Sequence, residues 1–541
     1  MIFTNVEFWI FFAVVMGIFS VIHPYRAWRN AFLFLASIFF YWKTGGFFFV
    51  LLIFSTLVDY IIGFAIHENK SKAGKTFWLV CSITINLLLL FYFKYSYFFV
   101  DIYGDVLGIQ VEYYHHFNAA VNTITGGSAG LTVDKLLPPV GISFFTFQTI
   151  SYAVDVYKGK VKPVTSILDF GFYVSFFPQL VAGPIVRAAE FIPQIYQPYR
   201  LTRDDFGSAT WMILKGLVKK LIIGDYIAVN FVDRVFENPV GFTGFENLMS
   251  VYGYSLQVYV DFSGYTDVAI GVALLMGFRL PINFNSPYKA TSVGGFWRRW
   301  HISLSTWLKD YLYIPLGGSR KASLLTWVFY AALPFIVWAY FGFDSWPYIA
   351  IGTVIAYGAM IAGVLMSKKA RKEITTSSNL MITMTLGGFW HGNTWLFVIW
   401  GALNGAGLVV YKLWRKISPW EGRTELIWRF WTILLTFNFI TFTRLYFRGE
   451  SLEKVDQWYD QVWGNFGWDL IPDIIYNYRW PFIMIYVGLI LHWFPSKEKE
   501  TMRRVFIDSH IAVKIVVTCV TIFAIYQAMS TDLQPFIYFQ F

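Results

Sequence analysis

Long apolar runs recur along the chain, and they constrain its fold more than any other feature. A helix of about 20 apolar residues is long enough to cross the hydrocarbon core of a bilayer. Only 14% of the 541 residues are charged, against roughly 25% in soluble domains. The candidate spans lie near residues 6–22, 31–42, 47–66, 76–99, 136–156, 206–235, 247–276, 324–341, 346–366, 426–446, 481–494 and 511–530. The sequence therefore predicts an all-α, polytopic membrane protein that forms one continuous domain over residues 1–541.

The charges of the loops assign a side of the membrane to each loop. The basic loops are those at 23–29, 67–75, 158–162, 279–321, 368–372, 412–429 and 497–504. The comparatively acidic loops are those at 100–134, 236–246 and 447–480. Loops rich in Lys and Arg face the cytoplasm, so the first group is predicted to be cytoplasmic and the second external. This distribution explains the net charge of +10, and we expect no nucleic acid as a partner.

Two apolar runs, 166–186 and 380–411, have a basic loop on both sides, so each must cross the membrane twice or re-enter it. Helix breakers interrupt both runs: Pro178, Gly183 and Pro184 in the first, and Gly387, Gly388 and Gly392 in the second. Broken backbone is tolerated at membrane depth only where protein or a water-filled cavity surrounds it. We therefore predict broken helices here and about 11–14 transmembrane or re-entrant helices in all.

The long loop 278–321 is a third irregularity. Its large apolar side chains fall at helical i, i+3 and i+4 spacing and are Trp297, Trp300, Leu304, Trp307 and Leu308. Basic residues alternate with them. This pattern predicts an amphipathic helix that lies in the cytoplasmic interface or dips into the protein.

His391, within L-G-G-F-W-H-G-N-T-W, is the strongest candidate for chemistry. Ionisable side chains in apolar sequence are costly, so they usually mark function. A neutral histidine can take a proton from a hydroxyl and return it, as acyl transfer to an alcohol requires. The flanking glycines would let a substrate approach, Trp390 would exclude water, and Asn393 would donate to a developing oxyanion. The alternative is a histidine that only hydrogen-bonds a neighbouring helix.

His301, within F-W-R-R-W-H-I-S-L-S-T-W, is the second candidate. On an interfacial helix, a histidine is commonly no more than the polar tip of an amphipathic face. Arg298 and Arg299 precede it and could pair with the phosphates of a nucleotide-linked donor such as coenzyme A, or could anchor the helix at the membrane surface. Trp297 and Trp300 belong to the same candidate donor-binding segment, which Trp390 would extend.

Carboxylates within apolar sequence form a third candidate group. Asp261 and Asp267 lie in Y-V-D-F-S-G-Y-T-D-V-A-I-G. They could orient a histidine, bind a cation or cap a broken helix. Arg444 could be their counter-ion or an interface anchor, and Asp310 is a further candidate for orienting a histidine.

Neither cysteine chemistry nor metal binding is expected. Cys81 and Cys519 lie in separate apolar runs and are typical of small packing residues. His115 and His116 are adjacent, with no further ligand at a metal-binding spacing. We predict no metal and no tightly bound cofactor.

Five stretches together resemble the membrane-bound O-acyltransferase superfamily, and within it the AlgI-like branch of alginate O-acetyltransferases. They are F-F-P-Q-L-V-A-G-P-I-V-R, Y-V-D-F-S-G-Y-T-D-V-A-I-G, N-F-N-S-P-Y, F-W-R-R-W-H-I-S-L-S-T-W-L-K-D-Y-L-Y-I-P-L-G-G and G-G-F-W-H-G. The motif core extends over about residues 170–411, and the longest of these stretches is highly specific.

The resemblance implies a helical membrane core around a central cavity, with His391 as the essential catalytic histidine and His301 as the second. In AlgI-like systems an acetyl group, taken from cytoplasmic acetyl-CoA, is passed across the bacterial inner (cytoplasmic) membrane. An extracytoplasmic SGNH-type acetyltransferase then places it on a secreted polysaccharide or a cell-wall glycan. We therefore expect acetyl-CoA as the donor, such a partner protein, and surrounding membrane lipid. We also expect His391 to act as a general base while His301 and Asn393 polarise the thioester carbonyl.

Other functions remain open at this point. D-alanyl transfer to teichoic acid by a DltB-like enzyme is the nearest alternative, although 541 residues is long for that branch. A membrane transporter or flippase would also explain re-entrant segments and the intramembrane residues Asp261 and Asp267. A scaffold for an envelope complex would have no activity at all.

Overall fold

The computed structural model of the protein describes residues 1–134, 138–341 and 346–528, with the backbone alone for 346 and 359–366. Helices make up most of these residues, and no strand occurs among them. The predicted all-α membrane fold is thereby confirmed. Residues 136 and 137 of one predicted span, and 529 and 530 of the last, lie outside the described residues.

The first helices are α1 (Val6–Ile22), α2 (Arg26–Gly45), α3 (Phe49–Glu68), α4 (Lys72–Leu90), α5 (Ser96–Leu107) and α6 (His116–Ile124). The next are α7 (Ile142–Tyr157), α8 (Ile167–Ser175), α9 (Phe177–Leu180), α10 (Ala188–Ile195), α11 (Arg203–Leu217), α12 (Asp225–Ile227), α13 (Asp233–Glu237) and α14 (Gly244–Leu275). The motif-rich part continues with α15 (Val293–Trp297), α16 (Ile302–Trp307), α17 (Leu324–Phe341), α18 (Trp346–Met366), α19 (Lys368–His391) and α20 (Trp395–Ile417). The last are α21 (Leu426–Arg448), α22 (Leu452–Gly464), α23 (Ile471–Asn477), α24 (Arg479–Trp493), α25 (Ser496–Asp508) and α26 (Ile511–Ala528). Among the described residues, four π-helical segments extend or join helices, at Phe91–Tyr95, Val218–Gly224, Ala228–Val232 and Leu308–Tyr313.

Within the described part of the chain, 7 helical stretches are long and apolar enough to cross a membrane. The bent pair Trp468–Asn477 and Arg479–Trp493 would bring the number to 8. One stretch, Arg26–Glu68, has 43 residues and joins two predicted spans through a 3₁₀ turn at Gly46–Phe48. At 1.5 Å per residue a helix of that size is about 65 Å long, which is enough for two crossings.

Helix α14 is the buried axis of the fold. Most of its side chains are buried, whereas Thr326 is the one buried residue of α17. A capping box begins α14: the Glu246 N–H donates to the Thr243 hydroxyl at 3.3 Å, and the Thr243 N–H donates to the Glu246 carboxylate at 2.9 Å. Around it pack α11, the π-helical segment Val218–Gly224, α21 and α22.

Ion pairs connect α14 to α11 and to the π-helical segment that follows α11. Asp267 pairs with Lys215 at 3.0 Å and with Lys219 at 2.7 Å, and Asp261 pairs with Lys220. Breaking a buried ion pair by removing one partner typically costs about 3–5 kcal/mol, because the other charge is left uncompensated. Lysines of the preceding helix, rather than Arg444, are therefore the counter-ions of these two aspartates.

Glycines bring α11 and α14 into backbone contact. A Cβ atom on Gly264 would lie 2.7 Å from the Gly216 carbonyl oxygen, and one on Gly216 would lie 2.5 Å from the Gly264 carbonyl oxygen. Real Cβ atoms essentially never approach so closely, so no side chain fits there without movement. Small residues at such crossings are characteristic of membrane helices, which gain their stability from close packing.

We expect Gly264→Ala to lower the free energy of unfolding by about 1–3 kcal/mol, because the added methyl group overpacks this interface. Gly352→Ala on α18 is the matched control. Nothing lies within 4 Å of its added Cβ, and the substitution should be neutral or slightly stabilising. Thermal unfolding of both variants in the same detergent measures the difference. Wild-type stability of Gly264→Ala would show that the two helices are not packed this closely.

The two apolar runs with basic loops on both sides are broken, as predicted, but Gly387 and Gly388 lie within α19 and Gly392 alone of the three glycines lies at the break. In 380–411, α19 ends at His391 and α20 begins at Trp395, and these helices pack against each other as a hairpin. In 166–186, α8 and α9 are followed by the non-helical residues 181–187, nearly all of them buried. Protein surrounds this irregular backbone, which is the condition for its lying at membrane depth.

The loop 278–321 dips into the protein, but the prediction of one amphipathic helix there is wrong. Helix α15 ends at Trp297 and α16 begins at Ile302, with a turn between them. The five side chains that define the helical spacing are all buried: Trp297, Trp300, Leu304, Trp307 and Leu308. The backbone of the turn is hydrogen-bonded to that of Asn283 and Asn285, which precede α15.

Candidate active site

His301 and His391 lie side by side, although they come from different parts of the fold. Their ring centroids are 6.4 Å apart, with an angle of 63° between the ring planes. Both are buried, with exposed fractions of 0% for His301 and 4% for His391. His301 belongs to the turn before α16, and His391 is the last residue of α19. The structure thus brings together the two histidines that the sequence singles out.

Aromatic rings enclose His391. Its ring centroid lies 5.0 Å from that of Trp390, 5.1 Å from Trp400 and 5.4 Å from Phe447. Trp390 is itself held by stacking on Phe147 at 5.0 Å. These rings cover much of the imidazole, and a water-poor site strengthens every electrostatic interaction within it.

Lys94 holds the end of α19 from behind His391. Its ammonium donates to the carbonyl oxygens of Trp390 at 2.8 Å and His391 at 3.1 Å, and to the Ser143 hydroxyl at 3.4 Å. The neighbouring Tyr95 hydroxyl donates to the Phe389 carbonyl at 3.1 Å. The last carbonyls of a helix have no partner within it, and a cation there also complements the helix dipole. Lys94 is not among the predicted site residues, although a lone lysine in the apolar run 76–99 was the available signal.

The backbone of His301 is strained. Its φ of 43° and ψ of 56° lie in the left-handed region, which is uncommon for residues other than glycine. Two bonds hold the turn: the Ile302 N–H donates to the Asn283 carbonyl at 3.0 Å, and the Asn285 N–H donates to the Arg299 carbonyl at 2.9 Å. Such a conformation costs about 1–3 kcal/mol and is characteristic of functional sites.

Asn283 orients the His301 ring. Its Oδ1 lies 3.2 Å from His301 Nδ1 and accepts from the Ser303 N–H at 3.1 Å and the Ser303 hydroxyl at 2.9 Å. A backbone N–H can only donate, which identifies this atom as the amide oxygen. His301 Nδ1 must then carry a hydrogen, so that Nε2 is the basic nitrogen of the neutral ring. Asn283 is missing from the predicted site, although it begins the N-F-N-S-P-Y stretch.

The predicted supporting carboxylates form ion pairs. Asp310 lies in the π-helical segment after α16, 3.1 Å from Arg187 Nη2, and 41% of its side chain is exposed. Its observed partner is thus an arginine, and Asn283 orients His301. Asp261 and Asp267 join α14 to the lysines described above.

Asn393 and the donor-binding candidates differ in exposure. Asn393 is half-buried in the short connection between α19 and α20. Arg298 is exposed, whereas Arg299 is half-buried and donates through Nη1 to the Asn285 carbonyl at 3.1 Å. Trp297 is buried with its ring centroid 5.7 Å from that of Trp400, so it packs in the core rather than at the surface.

Arg444 is neither a counter-ion of the aspartates nor an interface anchor. It is 1% exposed, and its Cζ lies 4.3 Å from the ring centroid of Trp300. It also lies 5.9 Å from the Trp400 ring and 5.4 Å from the Phe447 ring, the two rings that contact His391. A desolvated cation–π contact of this kind contributes about 2 kcal/mol.

A cavity of about 40 Å³ lies beside His391, at the N-terminal end of α7. Its lining residues are Lys94, Pro138, Pro139, Val140, Gly141, Ile142, Ser143, Phe144, Val181, Trp390 and His391. This end of α7 follows the predicted external loop 100–134. Access to His391 by way of this cavity would therefore come from the external side.

The glycines around His391 pack helices and do not make room for a substrate, so that expectation is wrong. A Cβ on Gly388 would lie 2.6 Å from Gly401 Cα, and one on Gly392 would overlap the Phe397 ring. The physical reason is the tight α19–α20 hairpin, which needs the space that the missing side chains leave.

Comparison with known proteins identifies the family. Residues 161–341 match the model of MBOAT, the membrane-bound O-acyltransferase family. The chain is 33% identical over 453 residues to a peptidoglycan O-acetyltransferase of Helicobacter pylori, which covers 78% of this chain and 71% of that protein. The chain belongs to the membrane-bound O-acyltransferase family. It is therefore an O-acyltransferase and a multi-pass membrane protein.

Two further relatives show how far the similarity extends. A probable alginate O-acetylase AlgI of Pseudomonas aeruginosa is 31% identical over 475 residues, which is 86% of this chain and 75% of that protein. A teichoic acid D-alanyltransferase of Bacillus subtilis is 26% identical over 332 residues, which is 58% of this chain and 70% of that protein. The similarity to the two relatives named for O-acetylation thus extends over more of the chain than the similarity to the D-alanyltransferase.

In this O-acyltransferase, we expect Lys94→Met to lower the free energy of unfolding by about 2–6 kcal/mol. Two buried carbonyls lose their donor, at about 1–3 kcal/mol each. Tyr95→Phe is the matched control, because it removes a single bond to the same helix end and should cost about 1 kcal/mol. Denaturation of the purified variants in one detergent compares the two costs. A Lys94→Met variant no less stable than Tyr95→Phe would contradict the role of Lys94.

Proposed function

We propose that this enzyme takes an acetyl group from cytoplasmic acetyl-CoA and passes it across the bacterial inner membrane, for O-acetylation of an exported polysaccharide or a cell-wall glycan. The names of its relatives, a peptidoglycan O-acetyltransferase and alginate O-acetylases, support both the acetyl group and a glycan as final acceptor. The observation that carries the proposal is the buried pair of His301 and His391, with ring centroids 6.4 Å apart.

In the proposed reaction, His391 is the general base. It accepts the proton of the acceptor hydroxyl while the hydroxyl oxygen bonds to the acyl carbon. The carbon–sulfur bond then breaks, and the coenzyme A thiolate leaves and takes up a proton to become the free thiol. Asn393, in the connection just after His391, is the proposed donor to the oxyanion that forms on the acyl oxygen.

The hydrogen bonds of His301 favour a different role from the one predicted for it. Polarising a thioester carbonyl requires an N–H that points at the carbonyl oxygen. Asn283 Oδ1 instead takes the hydrogen on Nδ1, which makes Nε2 an acceptor in the neutral ring. We therefore assign His301 to accepting and relaying a proton next to His391.

The predicted topology supports a route across the membrane. Arg298 is exposed in the predicted cytoplasmic loop, where the donor would arrive. The cavity at His391 lies at the end of α7 that follows a predicted external loop. The predicted external loops 100–134 and 447–480, the second of which carries α22 and α23, would dock an SGNH-type acetyltransferase partner.

The alternatives receive less support. The teichoic acid D-alanyltransferases match only 58% of this chain, at lower identity. The transporter hypothesis rested on Asp261 and Asp267 as intramembrane carboxylates that could bind a transported ion. Both carboxylates instead form ion pairs with lysines between packed helical segments.

The proposed function predicts that His391→Ala abolishes release of free thiol from acetyl-CoA by the purified enzyme with its extracytoplasmic partner. His301→Ala should also reduce turnover, because loss of a general base or acid typically costs about 10²–10⁴-fold. His492→Gln is the control. That histidine is also buried, but its Nε2 accepts from the Tyr288 N–H at 3.2 Å and it belongs to another cluster.

The His492→Gln variant should retain turnover within about threefold of wild type, since it touches no reacting group. Substantial turnover by His391→Ala, or its loss only together with unfolding, would refute the assigned role. Turnover of a D-alanyl carrier thioester but not of acetyl-CoA by the wild type would instead assign the enzyme to D-alanyl transfer.

For donor binding, we expect Arg298→Ala to raise the apparent KM for acetyl-CoA about tenfold with little change in kcat. A hydrogen bond to a charged group contributes about 1.5–3 kcal/mol, and 1.4 kcal/mol corresponds to a factor of ten. Arg320→Ala, exposed in the same basic loop, is the control and should leave the KM unchanged. Equal KM values for Arg298→Ala and wild type would exclude Arg298 from the donor site.

A further inference from the structure

We infer that the cavity beside His391 is the pocket for the acyl group, and that Val181 limits the length of the acyl chain which the enzyme transfers. The inference rests on the proposed function, because it requires acyl transfer at His391. It goes beyond that function by naming the side chain that separates acetyl from longer acyl groups.

The size of the cavity supports a short acyl group. A water-sized group needs about 10–15 Å³ of such space, so a cavity of about 40 Å³ has room for about three non-hydrogen atoms. An acetyl group consists of one methyl carbon, one carbonyl carbon and one oxygen, and it fills this space. A further methylene on the side of Val181 would have to displace protein.

The lining of the cavity has a polar and an apolar part, as an acyl group does. His391, Lys94 and Ser143 contribute polar atoms, and the positive end of the α7 dipole lies at the same wall. Val181 and Phe144 are apolar residues of the lining. A carbonyl oxygen is therefore accommodated near the N-terminal end of α7, and the alkyl chain near Val181.

The wall that carries Val181 is fixed in place. Val181 is 3% exposed, in the buried non-helical segment after α9. Gly141, at φ 76°, packs so closely that a Cβ there would lie 2.7 Å from the Leu180 carbonyl oxygen. Further along the segment, the Ile185 N–H donates to the Ser303 hydroxyl at 3.0 Å. A longer acyl chain therefore cannot push this wall aside cheaply, since close-packed interiors resist added volume.

Val186 provides a matched control. It is a valine of the same segment, with an exposed fraction of 0%, and it does not line the cavity. Val181→Ala and Val186→Ala both remove the same two methyl groups from a buried position. Only the first removes them from the cavity wall.

The test measures turnover of acetyl-, propionyl- and butyryl-CoA by the full-length enzyme with its partner. For Val181→Ala we expect the ratio of propionyl to acetyl turnover to rise at least about tenfold over wild type, because one methylene in an apolar pocket is worth 10–200-fold in discrimination. Val186→Ala should keep the wild-type ratio. Val181→Ile should lower acetyl turnover, because its added methylene enters the pocket.

Each ratio is measured on one preparation, so the fraction of folded enzyme cancels. The inference would be overturned if Val181→Ala kept the wild-type ratio of propionyl to acetyl turnover, or if both alanine variants raised that ratio equally. In either case, acetyl turnover by the wild type would leave the proposed function intact. If the wild type turned over none of the acyl-CoA donors, the proposed function would fail, and the acyl pocket with it.

Discussion

The contact between the Lys94 ammonium and the end of α19 is the interaction on which the site depends. It joins three parts of the chain, because Lys94 follows α4, its carbonyl partners end α19, and Ser143 belongs to α7. A helix end buried in a membrane protein leaves carbonyls that water cannot reach, and each would cost about 1–3 kcal/mol without a donor. By satisfying them, Lys94 allows α19 to stop at His391 and to present its imidazole beside the cavity.

Both histidines lie where the backbone is broken. His391 ends a helix, and His301 adopts a left-handed conformation in a turn. In each case a side chain from elsewhere in the chain compensates. Lys94 donates to the carbonyls at the end of α19. The Asn283 amide oxygen accepts from the His301 ring and from the Ser303 N–H, on the two sides of the strained residue. Regular helices would satisfy their own backbone but would point these rings along a helix face. Irregular backbone supported by polar side chains lets two rings from separate segments meet.

The charged groups of the core are divided between stability and chemistry. The aspartates of α14 are neutralised by lysines of α11 and the π-helical segment that follows it, and they hold the central helices together. Arg444 is surrounded by aromatic rings, two of which also contact His391. Ionisable residues in apolar sequence therefore do not all mark the reaction centre. Whether such a residue stabilises the fold or takes part in the reaction depends on its partners, which the sequence does not reveal.

The sequence by itself determined the class of the protein, most of its spans, the breaks at 166–186 and 380–411, and the two histidines. These depend on local properties, namely the length of apolar runs, helix-breaking residues and rare ionisable groups. Only the tertiary structure decided what orients each histidine, why Gly388 is a glycine, and which cations neutralise Asp261 and Asp267. Those answers depend on residues far apart in the chain, such as Asn283 with His301 and Lys94 with His391. Spacing along a sequence carries no information about which distant side chain fills a given space or satisfies a given polar atom.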